Sequence, residues 1–209
     1  MIEGVAIFDL SETLIDSDSL WNNAFKEMLD ELGIKQDEKI LNVLADYGFD
    51  YACIYLMDFY RVPYTHSELL KKLAHYAIGS FHQKITLREG AAEFISKIKS
   101  SGYATVVLAS GNPLIMELTR KHYAEILDID KWMNTRELNI AKNDIKLYSM
   151  IASSFAVPPE RCILFDDLEE VIRSAKKAGV KTVYIGEGNS SHAEFSSESF
   201  TKLMNVYMK

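Results

Sequence analysis

An aspartate directly behind four apolar residues, Val5-Ala6-Ile7-Phe8-Asp9, with hydroxyls following at Ser11 and Thr13, is the first place where this sequence could do chemistry. If the apolar run is a central strand of a parallel sheet, the acid projects from its carboxyl end, where open α/β sheets bind their ligands. Asp9 is then a candidate nucleophile or metal ligand; the plainer alternative is an aspartate that caps a turn or helix. Two other apolar runs end in the same manner. Val106-Val107-Leu108-Ala109 leads into Ser110-Gly111-Asn112, and Ile163-Leu164-Phe165 leads into Asp166-Asp167. Ser110 and the N–H groups behind it could receive an anion at a helix N-terminus. Carboxylates brought together from two strand ends need a cation or a shared proton, since like charges a few ångströms apart raise one pKa strongly. Magnesium suits them best, because its oxygen shell uses one or two carboxylates and leaves room for water and phosphate. The alternative for Asp166-Asp167 is an N-cap for a helix starting near Leu168, a task one aspartate fulfils alone. Lys142-Asn143-Asp144-Ile145-Lys146 lies ahead of a helical pattern, and a lysine there either balances phosphate and carboxylate charge or is a solvated surface residue.

These residues need elements to hold them. Short β-branched or aliphatic runs predict strands at Val5 to Phe8, Ala104 to Ala109, Arg161 to Phe165 and Lys181 to Ile185, with a weaker one at Trp132 to Asn134. Helical periods fall between them at Gly90 to Ser101, Ile145 to Phe155 and Val171 to Ala178, with Gly102, Pro158 and Gly179 as stops. Strand and helix alternate, so the expected class is α/β: a Rossmann-like parallel sheet with helices on both faces. From about Asp16 to Arg88 no convincing strand appears and helical periods dominate, which predicts an all-helical insertion. The expected division is 1–15 with 89–209 for the core and 16–88 for the insertion. Phe49, Tyr51, Tyr55, Phe59, Tyr60 and Tyr64 crowd the middle of that insertion, either as bundle core or as an aromatic wall facing a substrate. Glu187 to Ser199 is serine-rich and reads as a surface loop before a closing helix at Phe200 to Tyr207.

Composition narrows the function. In 209 residues with 48% hydrophobic content there is material for a real core, and a net charge of −7 disfavours binding through nucleic-acid phosphates or anionic membranes. Cys53 and Cys162 sit among apolar neighbours and read as buried thiols in a reducing compartment. No apolar run approaches bilayer length. The expectation is a cytoplasmic protein, monomer or homodimer, whose partner is a small molecule.

Taken together, these residues resemble the haloacid dehalogenase superfamily, in the branch with a helical cap inserted after the first motif. The likeness covers nearly the whole chain. The first motif, a strand and D-x-D-x-T, reads here Asp9-Leu10-Ser11-Glu12-Thr13; the second is Ser110; the fourth is Asp166-Asp167, trailed by Ala178-Gly179. The third is a lysine ahead of a helix. Counted back from Val157-Pro158-Pro159-Glu160-Arg161-Cys162, the spacing of phosphoglucomutase-like members lands on Lys142, with Lys146 in reserve. The resemblance implies that Asp9 attacks a phosphoryl group to form an aspartyl-phosphate. It implies Mg2+ held by Asp9, the Ser11 carbonyl and Asp167, with Asp166 directly or through water. Ser110, Gly111, Asn112 and Lys142 would bind the phosphorylated substrate, Ser110 and Lys142 stabilising charge on the transferring group. The cap would choose the leaving group and exclude water.

One departure matters. Phosphomonoesterases of this family carry, two residues after the nucleophile, an aspartate that protonates the leaving alkoxide and then activates water; this chain has Ser11. Such acid–base help is worth roughly 10² to 10⁴ in rate, so phosphoryl transfer is expected to be impaired or atypical. Glu12 replaces the family's small glycine, and strand alternation would point its carboxylate away from Asp9. Relatives without the second acid suggest other outcomes. One is a phosphonatase, which needs a cap lysine, from Lys26, Lys35, Lys39, Lys71 or Lys72. Another is a dehalogenase, for which Arg61 is the obvious cap arginine. A different class of answer is a fold that keeps its metal and phosphate groups but has lost turnover, a binding or regulatory protein.

Overall fold

Every residue of the first strand is buried, which requires a neighbour on each edge and cover on each face. The computed structural model describes residues 2–207, with the backbone alone for 44–48, 82–84, 206 and 207. In chain order the elements begin with β1 (Gly4–Asp9) and β2 (Ile15–Asp16), then α1 (Asp18–Glu31), α2 (Glu38–Phe59) and α3 (His66–Lys84). There follow β3 (Thr86–Leu87), α4 (Ala91–Ser100), β4 (Tyr103–Ala109), α5 (Pro113–His122), β5 (Lys131–Asn134), α6 (Thr135–Leu138) and α7 (Ile145–Ser154). The last are β6 (Cys162–Asp166), α8 (Glu169–Lys177), β7 (Lys181–Ile185), β8 (Phe195–Ser197) and α9 (Phe200–Tyr207).

Met1–Asp16 and Thr86–Lys209 form one compact unit. Its sheet has the order β5-β4-β1-β6-β7-β8, with every pairing parallel. The chain builds outward from β1 to one side through β4 and β5, then returns to build the other side from β6. The reversal falls between β1 and β6, and ligand crevices of open α/β sheets form at that switch point. Both faces are covered. On one, Val5, Ile7, Val106, Leu108 and Leu164 pack against Leu147, Tyr148 and Ile151 of α7 and Val171, Ile172 and Ala175 of α8. On the other, Phe8 stacks on Phe165 with centroids 4.8 Å apart, and Phe94 of α4 and Phe200 of α9 close over the pair. Fully burying one such ring contributes about 1.5–3 kcal/mol. Two glycines answer to geometry: a Cβ on Gly4 would lie 2.1 Å from the Arg161 carbonyl, and Gly102 turns the chain from α4 into β4 at φ 90.

Ser17–Ile85 is the second unit. Asp37 caps α2 by accepting from the Ile40 N–H, and Thr65 with Glu68 forms a reciprocal capping box on α3. Leu20, Phe25, Met28 and Leu29 of α1 are buried, as are Leu69, Leu73, Ala77 and Phe81 of α3. The aromatic cluster is partly packed and partly exposed. Phe49 packs on Trp21 and Phe25, whereas Tyr51 and Phe59 remain 48% and 56% exposed. Lys39 lies over the Phe59 ring, 3.9 Å from its centroid.

Three strands were absent from the sequence reading. β2 and β3 form a two-residue antiparallel ladder at the boundary of the predicted insertion, and β8 lies inside the predicted serine-rich surface loop. Arg161, expected in a strand, belongs to a 3-10 turn, and β6 begins at Cys162. Both cysteines are buried, which pushes the Cys53 thiol up to about 12 and the Cys162 thiol up to about 11. No helix among the described residues is long and apolar enough to cross a membrane.

Candidate active site

β1 and β6 are neighbours in register Phe8 to Phe165, so the next residue of each, Asp9 and Asp166, emerges at the same rim. Both are buried, 4% and 0% exposed, and the cation between them is Lys142, itself 6% exposed. Its ammonium donates to Asp9 Oδ1 and lies 2.7 Å from Asp166 Oδ2. Burial works against the charged ammonium, but the two carboxylates outweigh it and hold Lys142 protonated. Lys146 is exposed in the first turn of α7, so the structure brings Lys142 and not Lys146 to Asp9.

The sequence reading missed what fixes Lys142. Tyr148 is fully buried in the apolar face of α7, and its hydroxyl donates to the Lys142 carbonyl at 2.8 Å. Burial, then the charges of Asp166 and Asp9, push that phenol upward, so it remains a donor. Its signal was faint: a tyrosine in a helical stripe otherwise made of Leu147, Ile151 and Ala152.

After β1 the chain makes a tight turn in which Leu14 and Ile15 N–H groups both bond the Leu10 carbonyl. Ser11 is half-buried in this turn. Glu12 stands at φ 60, a left-handed conformation that glycine adopts without cost and other residues adopt at roughly 1 kcal/mol or more. Its carboxylate pairs with Arg88 at 2.5 Å. Glu12 thus stands in a turn and not in the extended strand whose alternation was expected to orient it. Thr13, fully buried, donates to Asp167 Oδ1 at 3.4 Å, tying the turn to the acidic pair.

Ser110 and Gly111 are exposed at the end of β4, and a Cβ built on Gly111 would meet no atom within 4 Å. That glycine therefore borders open space. Asn112 gives its side-chain oxygen to the Leu114 N–H as the cap of α5, so this oxygen is taken. From the end of β5, Asn134 donates to the Gly111 carbonyl at 3.2 Å and Arg136 Nε donates to the Ser110 carbonyl at 3.2 Å. Neither was singled out from sequence. A groove of about 1000 Å³ runs beside α5 from Pro113 to Glu137, and none of Asp9, Ser110, Lys142 or Asp166 lines it. The chemistry is concentrated at the strand ends instead.

Charge at this rim is unbalanced: Asp9, Asp166 and Asp167 face one lysine. Asp166 accepts the Leu168 N–H at Oδ1, the turn-capping bond weighed from sequence, but its Oδ2 is buried and ion-paired without a directed hydrogen bond. Burial raises the Asp166 pKa, with Lys142 pulling against it. Burial and then the charge of Asp9 push Asp167 up to about 6. Among the described residues, no three His, Cys, Asp or Glu side chains cluster as a metal cage. The donor set instead suits a hard cation that takes one or two carboxylates and completes its shell with carbonyl and water. A consequence concerns stability. Asp167 holds its proton more tightly folded than unfolded, so stability without divalent cations falls as pH rises from 3.8 to about 6. Asp167→Asn is expected to remove part of that slope, read as Tm against pH in a chelating buffer.

The family model described as haloacid dehalogenase-like hydrolase matches residues 6–185. The chain belongs to that family. Among curated relatives of this haloacid dehalogenase-like hydrolase, glyceraldehyde 3-phosphate phosphatase of Pyrococcus furiosus is 27% identical over 94% of this chain and 86% of the relative. Hexitol phosphatase B of Escherichia coli K12 is 25% identical over 86% of this chain and 82% of its own length. The crystal structure of CbbY from Rhodobacter sphaeroides in complex with phosphate shares the fold, with a TM-score of 0.76 at 22% identity over 97% of this chain and 96% of that one. Both of these curated relatives are named as phosphatases.

Proposed function

We propose that this hydrolase cleaves small phosphorylated metabolites, sugar phosphates among them, through an aspartyl-phosphate at Asp9, with magnesium, and with weak protonation of the leaving group because Ser11 occupies the acid's position. The observation that carries the reading is the buried contact of Lys142 with Asp9 and Asp166 at adjacent strand ends. A scaffold has no need of such an arrangement, since replacing a buried ion triad by apolar residues is often neutral or stabilising. The relatives' names, glyceraldehyde 3-phosphate and hexitol phosphatases, support the substrate class.

In this mechanism a carboxylate oxygen of Asp9 attacks phosphorus, and the bond to the leaving oxygen breaks with its electron pair. Water then attacks the acyl phosphate, releasing phosphate and restoring the carboxylate. Lys142 has three N–H donors; one goes to Asp9, and the ammonium, ion-paired with Asp166, has N–H capacity left for a phosphoryl oxygen. Ser110 would bind another. Asp9, the Ser11 carbonyl and Asp167, with Asp166, would hold magnesium, which neutralises charge on the transferring group. Ser11 cannot hand a proton to an alkoxide at neutral pH as a carboxylic acid would.

The reading is tested with two esters in magnesium. An aryl phosphate, whose leaving group needs little protonation, is expected to turn over well and an alkyl phosphate poorly. Tight binding of magnesium and inorganic phosphate with no aryl turnover would instead favour a non-catalytic binding protein.

A further inference from the structure

The strand order sets three ends side by side: β1 with Asp9, β4 with Ser110 and β5 with Asn134. Adjacent strands lie about 4.8 Å apart, so the end of β5 is about 10 Å from that of β1. It is also wired to the Ser110 loop. Asn134, 1% exposed, donates to the Gly111 carbonyl while accepting the Arg136 N–H at 2.9 Å, and Arg136 Nε donates to the Ser110 carbonyl. The guanidinium is thus held at one N–H against the loop, while its terminal nitrogens make no hydrogen bond or ion pair with any described residue. The other cations at this rim are engaged, Lys142 by Asp9 and Asp166, and Arg88 by Glu12.

We infer that Arg136 is a specificity-determining residue that reads a second anionic group on the substrate, a carboxylate or a second phosphate. The inference rests on the phosphatase reading above. A planar guanidinium with spare N–H groups matches either anion in bidentate fashion. Its place selects the distal group over the reacting one. With the phosphoryl at Asp9 and Ser110, the end of β5 that leads into Arg136 is the next strand end along the rim, about 5 Å from that of β4, and Arg136 Nε reaches the Ser110 carbonyl. The favoured substrates are therefore small phosphorylated hydroxy acids or bisphosphates.

The experiment compares 3-phosphoglycerate, fructose 1,6-bisphosphate and glycerol 3-phosphate on the full chain in magnesium, for wild type, Arg136→Gln and Arg136→Lys. Glutamine keeps an N–H donor for the Ser110 carbonyl but removes the charge. Wild type is expected to prefer at least one anion-bearing ester, and which one distinguishes carboxylate from phosphate. Arg136→Gln should lower kcat/KM on that ester about tenfold, through KM, and leave glycerol 3-phosphate within about twofold. Arg136→Lys should restore part of the loss. An equal loss on all three esters would mean a loop-positioning role and would overturn the inference, as would no selective loss or a wild-type preference for glycerol 3-phosphate. Asp9→Asn separates the two claims. If it hydrolyses the esters as well as wild type, the phosphatase reading itself fails; Asp9-dependent turnover without selectivity at Arg136 removes only the present inference.

Discussion

Ser11→Asp is expected to raise turnover of an alkyl phosphate by about 10² to 10⁴-fold while changing aryl phosphate turnover far less. The asymmetry follows from the leaving groups. A phenolate departs with little help, whereas an alkoxide needs a proton in the transition state. Glu12, the adjacent carboxylate, is engaged by Arg88 and held in a left-handed turn. Ser11 itself is half-buried in the turn that begins two residues after Asp9, where an introduced carboxylate would share the rim with the reacting group. Initial rates on paired aryl and alkyl esters give the ratio directly. An equal rise on both would mean that the aspartate acts on water attack alone.

Asp9→Asn is expected to abolish hydrolysis of every ester, by about 10³-fold or more, because an amide cannot form the acyl phosphate. The fold should survive. Asparagine nearly matches aspartate in volume, and its side-chain oxygen can still accept from Lys142. The substitution does remove one charge from a buried pair, which is costly when a partner is left uncompensated, but Asp166 remains 2.7 Å from the ammonium. Circular dichroism and thermal unfolding alongside the assay distinguish lost chemistry from lost structure. Residual activity within tenfold of wild type would show that the nucleophile lies elsewhere.

What was legible in the sequence was set by burial. β1, β4 and β6 are apolar over almost their entire length because both faces are covered, and each ends abruptly in a polar residue, so Asp9, Ser110 and Asp166-Asp167 stood out. β2, β3 and β8 were invisible for the opposite reason: two or three residues long and partly exposed, they are defined by pairing partners, which for β2 and β3 lie far apart along the chain. Between Lys142 and Lys146 local sequence offers no choice. The distinction is three-dimensional, since α7 starts after Lys142 and turns Lys146 to solvent. Tyr148 and Asn134 went unnoticed because a buried hydroxyl or amide looks, in one dimension, like any residue of an amphipathic helix or strand end. Glu12 was noticed for replacing glycine, yet the reason its carboxylate is unavailable lies in Arg88, 76 positions away.

The central claim is that Asp9 carries the phosphoryl group and that Ser11 leaves a departing alkoxide poorly protonated. The most direct measurement is acid quenching of the protein during aryl phosphate turnover, followed by peptide mass spectrometry. The account predicts one phosphoryl group on the peptide containing Asp9 in the wild type and none on that peptide in Asp9→Asn. Turnover with the phosphoryl group on another residue, or with no covalent adduct in wild type or any variant, would contradict it.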